Sequence, residues 1–155
     1  MDRTLVADDM RAVGGEREFE FGRVAQGALI AAGIAACLNL VVYFAARAAG
    51  VTFTGRFYPT APQTVVALTD VLGASTVWVV PAAAGLLLLN RFMERPAKAF
   101  AIGAVTFGLL SVAGPLTFPE ASMGTKLALA VMHLVLTAAI VGAIAIRGRT
   151  PRPRP

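Results

Sequence analysis

The side chains that could carry chemistry in this 155-residue chain are few, and most of them fall inside apolar segments. The single histidine, His133, and the single cysteine, Cys37, are both surrounded by alanine, leucine and valine. One residue of each type cannot complete a closed zinc site of histidine and cysteine ligands. The sequence also lacks an H-E-x-x-H motif, a G-x-S-x-G elbow and a phosphate-binding glycine loop. We therefore expect a protein that is not an enzyme and that uses no metal and no cofactor.

Polar residues inside the apolar segments are the best candidates for a functional site. They are costly in hydrocarbon and usually face the interior of a helix bundle or a cavity. The candidate cluster consists of Asn39, Tyr43, Asp70, Ser111 and His133. If the cluster is structural, a neutral His133 bonds to Asn39, to Ser111 or to a backbone carbonyl. If it is functional, it lines a pocket for a small ligand, a lipid headgroup or a proton, because a histidine–aspartate pair can titrate near neutral pH.

Four apolar runs must position these residues. Hydrophobic residues make up 57% of the chain and charged residues 15%, with a mean hydropathy of +0.70. Soluble domains have about 45–50% apolar and about 25% charged residues. About 20 apolar residues at 1.5 Å rise cross a hydrocarbon core of roughly 30 Å. The sequence therefore predicts an all-α polytopic membrane protein, an antiparallel bundle of four transmembrane helices. The predicted spans are residues 24–46, 71–89, 100–116 and 127–146.

The net charge of +5 indicates topology and gives no reason to expect a nucleic-acid partner. Eleven of the fourteen Lys and Arg residues fall on the side of the membrane that holds both termini. Positive residues near span ends favour the cytoplasm. We therefore expect a multi-pass protein of the cytoplasmic membrane with both termini inside the cell. Around the transmembrane domain 24–146, residues 1–23 form a predicted cytoplasmic tail and residues 147–155 a basic Arg/Pro tail.

Three local patterns refine this topology. Phe53, Phe57 and Tyr58 in the first connection resemble an interfacial aromatic belt. The Thr60–Gln63 segment is typical of a capping box, which predicts that the second helix begins there. Pro81 stands in the middle of the second span, where it predicts a kink because proline cannot donate to the carbonyl four residues earlier.

Depth along the predicted spans places the polar residues in the outer half of the membrane. Asn39, Ser111 and His133 lie at comparable depth, and small residues at three-or-four spacing accompany Asn39 along the first span. Small residues allow helices to approach closely, and polar ones then bond across the seam. We expect Asn39, Ser111 and His133 to converge there, with Tyr43 and Asp70 near the mouth of the cluster.

Several of these residues also carry a resemblance to a known family. They are an Asn in the small-residue first span, Arg91…Arg95-Pro96, Ser111…Pro115-Leu116 and Thr125…Met132-His133-Leu134. Over roughly residues 24–147 the chain resembles a family of short, four-span bacterial membrane proteins, mostly actinobacterial, catalogued only as a domain of unknown function. The resemblance implies four helices in a bacterial membrane and importance for Ser111 and His133. It implies no activity, and Asp70 is not among the family's features.

These observations lead to two hypotheses of function. The first is a non-enzymatic accessory or assembly component, which works as a homo-oligomer or with partner membrane proteins among the membrane lipids. The second is a carrier or channel for a small molecule or ion, with proton coupling as one form of it, built as a homo-oligomer around the outer polar cluster.

Overall fold

The computed structural model describes residues 19–56 and 60–145. Most of the predicted N-terminal tail, the whole C-terminal tail, Phe57 and Tyr58 lie outside the described residues. The helices are α1 (Phe21–Ala48), α2 (Leu68–Val77), α3 (Val79–Phe92), α4 (Pro96–Ser111), α5 (Ala113–Leu116) and α6 (Met123–Ile140), which continues as a π-helical turn, Val141–Ala145. The strands are β1 (Thr54–Gly55) and β2 (Thr64–Val65), paired antiparallel.

These helices form four spans that are long and apolar enough to cross a membrane. The spans are Phe21–Ala48, Leu68–Phe92, Pro96–Leu116 and Met123–Ile144. Each span packs against the next, and span four also packs extensively against span one, which closes a four-sided bundle. The predicted all-α, antiparallel four-helix membrane bundle is confirmed. We call the end with residues 49–56, 60–67 and 117–122 the capped end, and the opposite end, with residues 19–20, 93–95 and 145, the termini end.

Span two begins later than the capping-box pattern predicts. Residues Thr64–Val65 are extended because they pair with Thr54–Gly55, and the helix starts only at Leu68. The carboxylate of Asp70 accepts a hydrogen bond from the Ala67 N–H at 2.8 Å, so Asp70 satisfies a free donor of the first turn. The prediction that the helix starts near Thr60 is therefore wrong.

Two spans are interrupted three residues before a proline. Span two is divided at Trp78, ahead of Pro81, and span three at Val112, ahead of Pro115. Trp78 and Val112 both keep right-handed helical dihedrals, so the chain turns in the same helical sense through each break. Proline supplies no backbone N–H, which explains why the regular hydrogen-bond pattern fails one turn earlier.

Small residues bring span four close to its two neighbours. A β-carbon placed on Gly27 of span one would lie 2.8 Å from the carbonyl oxygen of Ala143. A β-carbon on Gly108 of span three would overlap the side chain of Thr137. Glycine thus lets the backbone of span four approach span one, and it lets a side chain of span four pack directly on the backbone of span three.

Candidate functional site

The most deeply buried polar pair joins spans one and two in the half of the bundle nearest the capped end. Asn39 is 3% exposed and Ser75 is 1% exposed. The Asn39 Nδ2 donates to Ser75 Oγ at 2.9 Å, and Ser75 Oγ donates to the carbonyl of Val71 at 2.7 Å. The two helices are therefore joined by a side-chain hydrogen bond in the apolar interior.

The other atom of the same amide has no such partner. Asn39 Oδ1 is buried and accepts no hydrogen bond from the part of the chain that the structure describes. A buried acceptor without a donor costs about 1–3 kcal/mol. Within the described residues it is the buried side-chain polar atom that has no partner.

Ser111 and His133 each bond to a carbonyl of their own helix. Ser111 Oγ donates to the carbonyl of Gly108 at 2.7 Å, and His133 Nδ1 lies 2.8 Å from the carbonyl oxygen of Leu129. The hydrogen bond to that carbonyl requires the proton on Nδ1, so a neutral ring presents Nε2 as an acceptor. Of the partners considered for His133, the structure uses a backbone carbonyl.

Within the described residues no hydrogen bond joins Asn39 to Ser111 or His133, so the expected convergence of the three stays a prediction. Asn39 bonds to Ser75 on the neighbouring span instead. Ser111 and His133 bond to carbonyls three and four residues back in their own helices, as serine and histidine in a helix can.

Tyr43 and Asp70 tie the first connection to the spans. The Tyr43 ring stacks on Phe53 with the ring centroids 4.7 Å apart, and its hydroxyl lies 3.5 Å from the carbonyl oxygen of Val66. Asp70 is exposed and caps the start of span two. The structure therefore gives both residues contacts that hold the capped end together, and it pairs Asp70 with Ala67 rather than with His133.

An arginine links the first and third connections across the capped end. Arg56 Nε donates to Glu120 Oε2 at 2.6 Å, and its Nη1 donates to the carbonyl of Ala61 at 2.7 Å. The backbone N–H of Arg56 also donates to the carbonyl of Pro119 at 2.9 Å. These three bonds, together with the Phe118 ring packed on Gly55, form a cap over the bundle.

Phe53 is part of this cap and not of an aromatic belt at the membrane surface. It is fully buried, with Val71, Ala128 and Met132 in the same apolar cluster. Phe53 and Glu120 both have positive φ, 57° and 56°. Such a φ is a genuine outlier for a bulky residue and is held only where the surroundings enforce it. The belt prediction is therefore wrong for Phe53.

Span one presents a second feature on the side that points away from the bundle. Its inward stripe includes Ala31, Ala35 and Asn39, so the predicted small-residue seam is used inside the bundle. The opposite stripe, which we call the outward face of span one, consists of Gly22, Gln26, Leu29, Gly33 and Cys37, all exposed and spaced by three or four residues. No side chain in the described residues hydrogen-bonds the amide of Gln26.

Neither feature has the composition of a metal centre. Within residues 19–56 and 60–145 there is no group of three or more His, Cys, Asp or Glu side chains close enough to hold a metal ion. The polar atoms available at the two features are amide, hydroxyl and thiol groups, which bind by hydrogen bonds.

Comparison with known proteins gives one match. A family model covers residues 19–150, and it is described as a family of unknown function (DUF6069). No curated protein and no solved structure matches the chain. The resemblance found in the sequence is thus supported as far as a family of unknown function, while the actinobacterial source stays a prediction.

Proposed function

The chain belongs to DUF6069, a family of unknown function, and we propose that it is a non-enzymatic assembly component of a membrane complex. In this role the outward face of span one contacts a second copy of the chain or a partner membrane protein. In this proposal the chain is a small bacterial protein of the cytoplasmic membrane, with both termini in the cytoplasm. The exposed Arg91, Arg95 and Lys98 at the termini end support that orientation.

The observation that carries the proposal is the composition of the outward face. Gln26 places an amide on the surface of a membrane helix, and Gly33 and Cys37 form a small-xxx-small pair one turn apart. Gly33 has open space around it, so a second helix can approach there. Small residues permit close backbone contact between membrane helices, and polar side chains bond across such contacts.

Cys37, the only cysteine, tests this face directly. Oxidative cross-linking of the full chain in its own membranes, followed by non-reducing electrophoresis, should give a dimer for a second copy or a larger adduct for a partner with a thiol. The control is Cys37→Ser with Leu38→Cys, since Leu38 is 48% exposed but lies about 100° around the helix. Gly33→Leu should abolish the adduct by blocking close approach.

The cross-linking result can also contradict the proposal. Equal cross-linking at positions 37 and 38 would indicate random collision in the membrane. Co-purification of a stoichiometric partner that is unchanged by Gly33→Leu would place the interface elsewhere on the bundle.

A second candidate function is a homo-oligomeric carrier or channel, and the unpaired Oδ1 of Asn39 favours it. A substrate with an N–H or O–H group could donate to that oxygen. Flux across proteoliposomes that depends on pH and disappears in Asn39→Ala or His133→Ala would support transport. Sealed proteoliposomes without flux would leave the assembly role.

A further inference from the structure

A groove opens between spans three and four on the side that faces the membrane. Its volume is about 360 Å³, which is within the range of about 300–1,000 Å³ common for small-molecule sites. Val105 and Leu109 form one wall, and Leu134, Ala138 and Val141 form the other. The groove is therefore lined almost entirely by aliphatic side chains.

The wall on span three continues as an apolar strip to the termini end. Leu109, Val105, Ile102 and Lys98 share one face of the helix by three-or-four spacing, and all four are exposed. Lys98 precedes Leu109 by eleven residues, or about 16 Å along the helix. That length matches roughly 15 Å, half of the hydrocarbon core. The strip therefore runs from mid-membrane to the membrane surface and ends at an ammonium group.

Positive charge is concentrated where the strip ends. Lys98, Arg91 and Arg95 are exposed at the termini end, together with Glu94 and with Glu20, which pairs with Arg23. The sequence before span one holds six acidic residues and four arginines. In the sequence, four further arginines follow span four. Each Lys or Arg near the surface attracts anionic lipid by about 1 kcal/mol. A ligand that complements both features must join a long apolar chain to an anionic group at the membrane surface.

The backbone of span four also shapes the groove. The π-helical turn begins at Val141, and Gly142 contributes no side chain to the lining. A β-carbon on Gly142 would meet nothing within 4 Å. Single π-helical turns in α-helices often occur at functional sites. A side chain at position 142 would therefore begin in open space beside the groove.

We propose that this groove is a binding site for an anionic phospholipid, with one acyl chain between spans three and four and the phosphate at Lys98. The groove supplies the apolar contact, and the charge of the termini end selects the headgroup. This inference goes beyond the assembly role and does not depend on it, because the groove and the outward face of span one lie on different spans.

The test uses the full chain in vesicles of equal parts phosphatidylglycerol and phosphatidylcholine, with native mass spectrometry of the released protein. One phosphatidylglycerol per chain should be retained in preference to phosphatidylcholine. Gly142→Leu should remove that adduct by filling the groove. Its control is Gly73→Leu, because Gly73 in span two is exposed with nothing within 4 Å of an added β-carbon.

The headgroup contact has its own variant and control. Lys98→Gln should lower phosphatidylglycerol retention about fivefold, which corresponds to the loss of about 1 kcal/mol. Lys126→Gln removes the same charge at the capped end and should change nothing. If Gly142→Leu lowers the unfolding midpoint, Ala138→Leu fills the same groove from a regular α-helical position.

Two outcomes would overturn the proposal. Equal retention of both lipids in every variant would show only the surrounding lipid shell. A dimer that dissociates in Gly142→Leu, with no lipid adduct in the parent chain, would assign the groove to a second copy.

Discussion

Asn39 forms a hydrogen bond between two helices, yet we predict that its replacement costs little stability. Asn39→Leu removes the hydrogen bond to Ser75, yet it also removes the Oδ1 atom that has no partner in the described residues. Leucine keeps the branched shape of the side chain without either polar atom. Ser75 keeps its own donor bond to the carbonyl of Val71. We expect the stability of Asn39→Leu to lie close to that of the parent chain.

The magnitude follows from two opposing terms. Side-chain hydrogen bonds between membrane helices contribute about 0.6 kcal/mol on average and about 1.7 kcal/mol at most. A buried unpaired acceptor costs about 1–3 kcal/mol. Asn39→Leu removes both the hydrogen bond and the unpaired oxygen. The free energy of unfolding should therefore change by an amount between a loss of about 1 kcal/mol and a gain of about 2 kcal/mol. An ordinary buried hydrogen bond without the unpaired oxygen would give only the loss.

Ser75→Ala should behave differently, because it leaves the Asn39 Nδ2 without its acceptor in the interior. The expected cost is about 1–3 kcal/mol in the parent chain, since the amide then has two unpaired atoms. In the Asn39→Leu background the same change should cost less than about 1 kcal/mol, because only the local bond of Ser75 to its own helix is lost. The coupling between the two positions should therefore reach about 1–2 kcal/mol.

The assay is equilibrium unfolding of the full chain in mixed detergent or bicelles for the parent, both single variants and the double variant. Thr76→Ala is the matched control. Thr76 is exposed, and its hydroxyl bonds to carbonyls of its own helix. Equal costs for Ser75→Ala in both backgrounds would refute the reasoning, as would a loss above about 2 kcal/mol for Asn39→Leu alone.

Two further predictions concern packing and the cap. Gly108→Ala should lower the free energy of unfolding by about 1–3 kcal/mol, because its methyl group overlaps Thr137, whereas Gly103→Ala has open space and should be neutral or slightly stabilising. Thr137→Ala should recover part of that loss, and additive costs would contradict the overlap. Arg56→Ala should raise amide hydrogen exchange across residues 51–56, since the guanidinium holds both Glu120 and a backbone carbonyl. Glu120→Gln should cost less than about 1 kcal/mol because that carboxylate is half exposed; unchanged exchange in Arg56→Ala would contradict the cap.

Hydropathy was enough to predict the four spans, because length and apolarity alone decide whether a helix can cross a membrane. It could not predict the start of span two. The pairing of Thr64–Val65 with Thr54–Gly55 depends on contacts between two parts of the first connection, and it overrides the local capping pattern at Thr60. Local signals are reliable only where no non-local pairing competes with them.

The candidate site was predictable in composition and not in its pairing. Asn39 is recognisable because an amide inside an apolar run is costly wherever it lies. Depth along a span does not give rotation about its axis, so Ser75, Ser111 and His133 were all possible partners. All three bond to a carbonyl of their own helix, and only the packed structure shows that Ser75 is the one that also accepts from Asn39. The opposite charges of Arg56 in the first connection and Glu120 in the third were the one signal for the cap in the sequence.

The cap also sets an order of events during synthesis of the protein. Arg56 and Glu120 are 64 residues apart in the chain. At about 5–20 residues per second, a ribosome needs roughly 3–13 s to make that stretch. During this interval Arg56 has been synthesised but Glu120, its partner, has not. The contact between Arg56 and Glu120 can form only after spans two and three have been synthesised. A formed cap therefore indicates that both spans are already made and inserted.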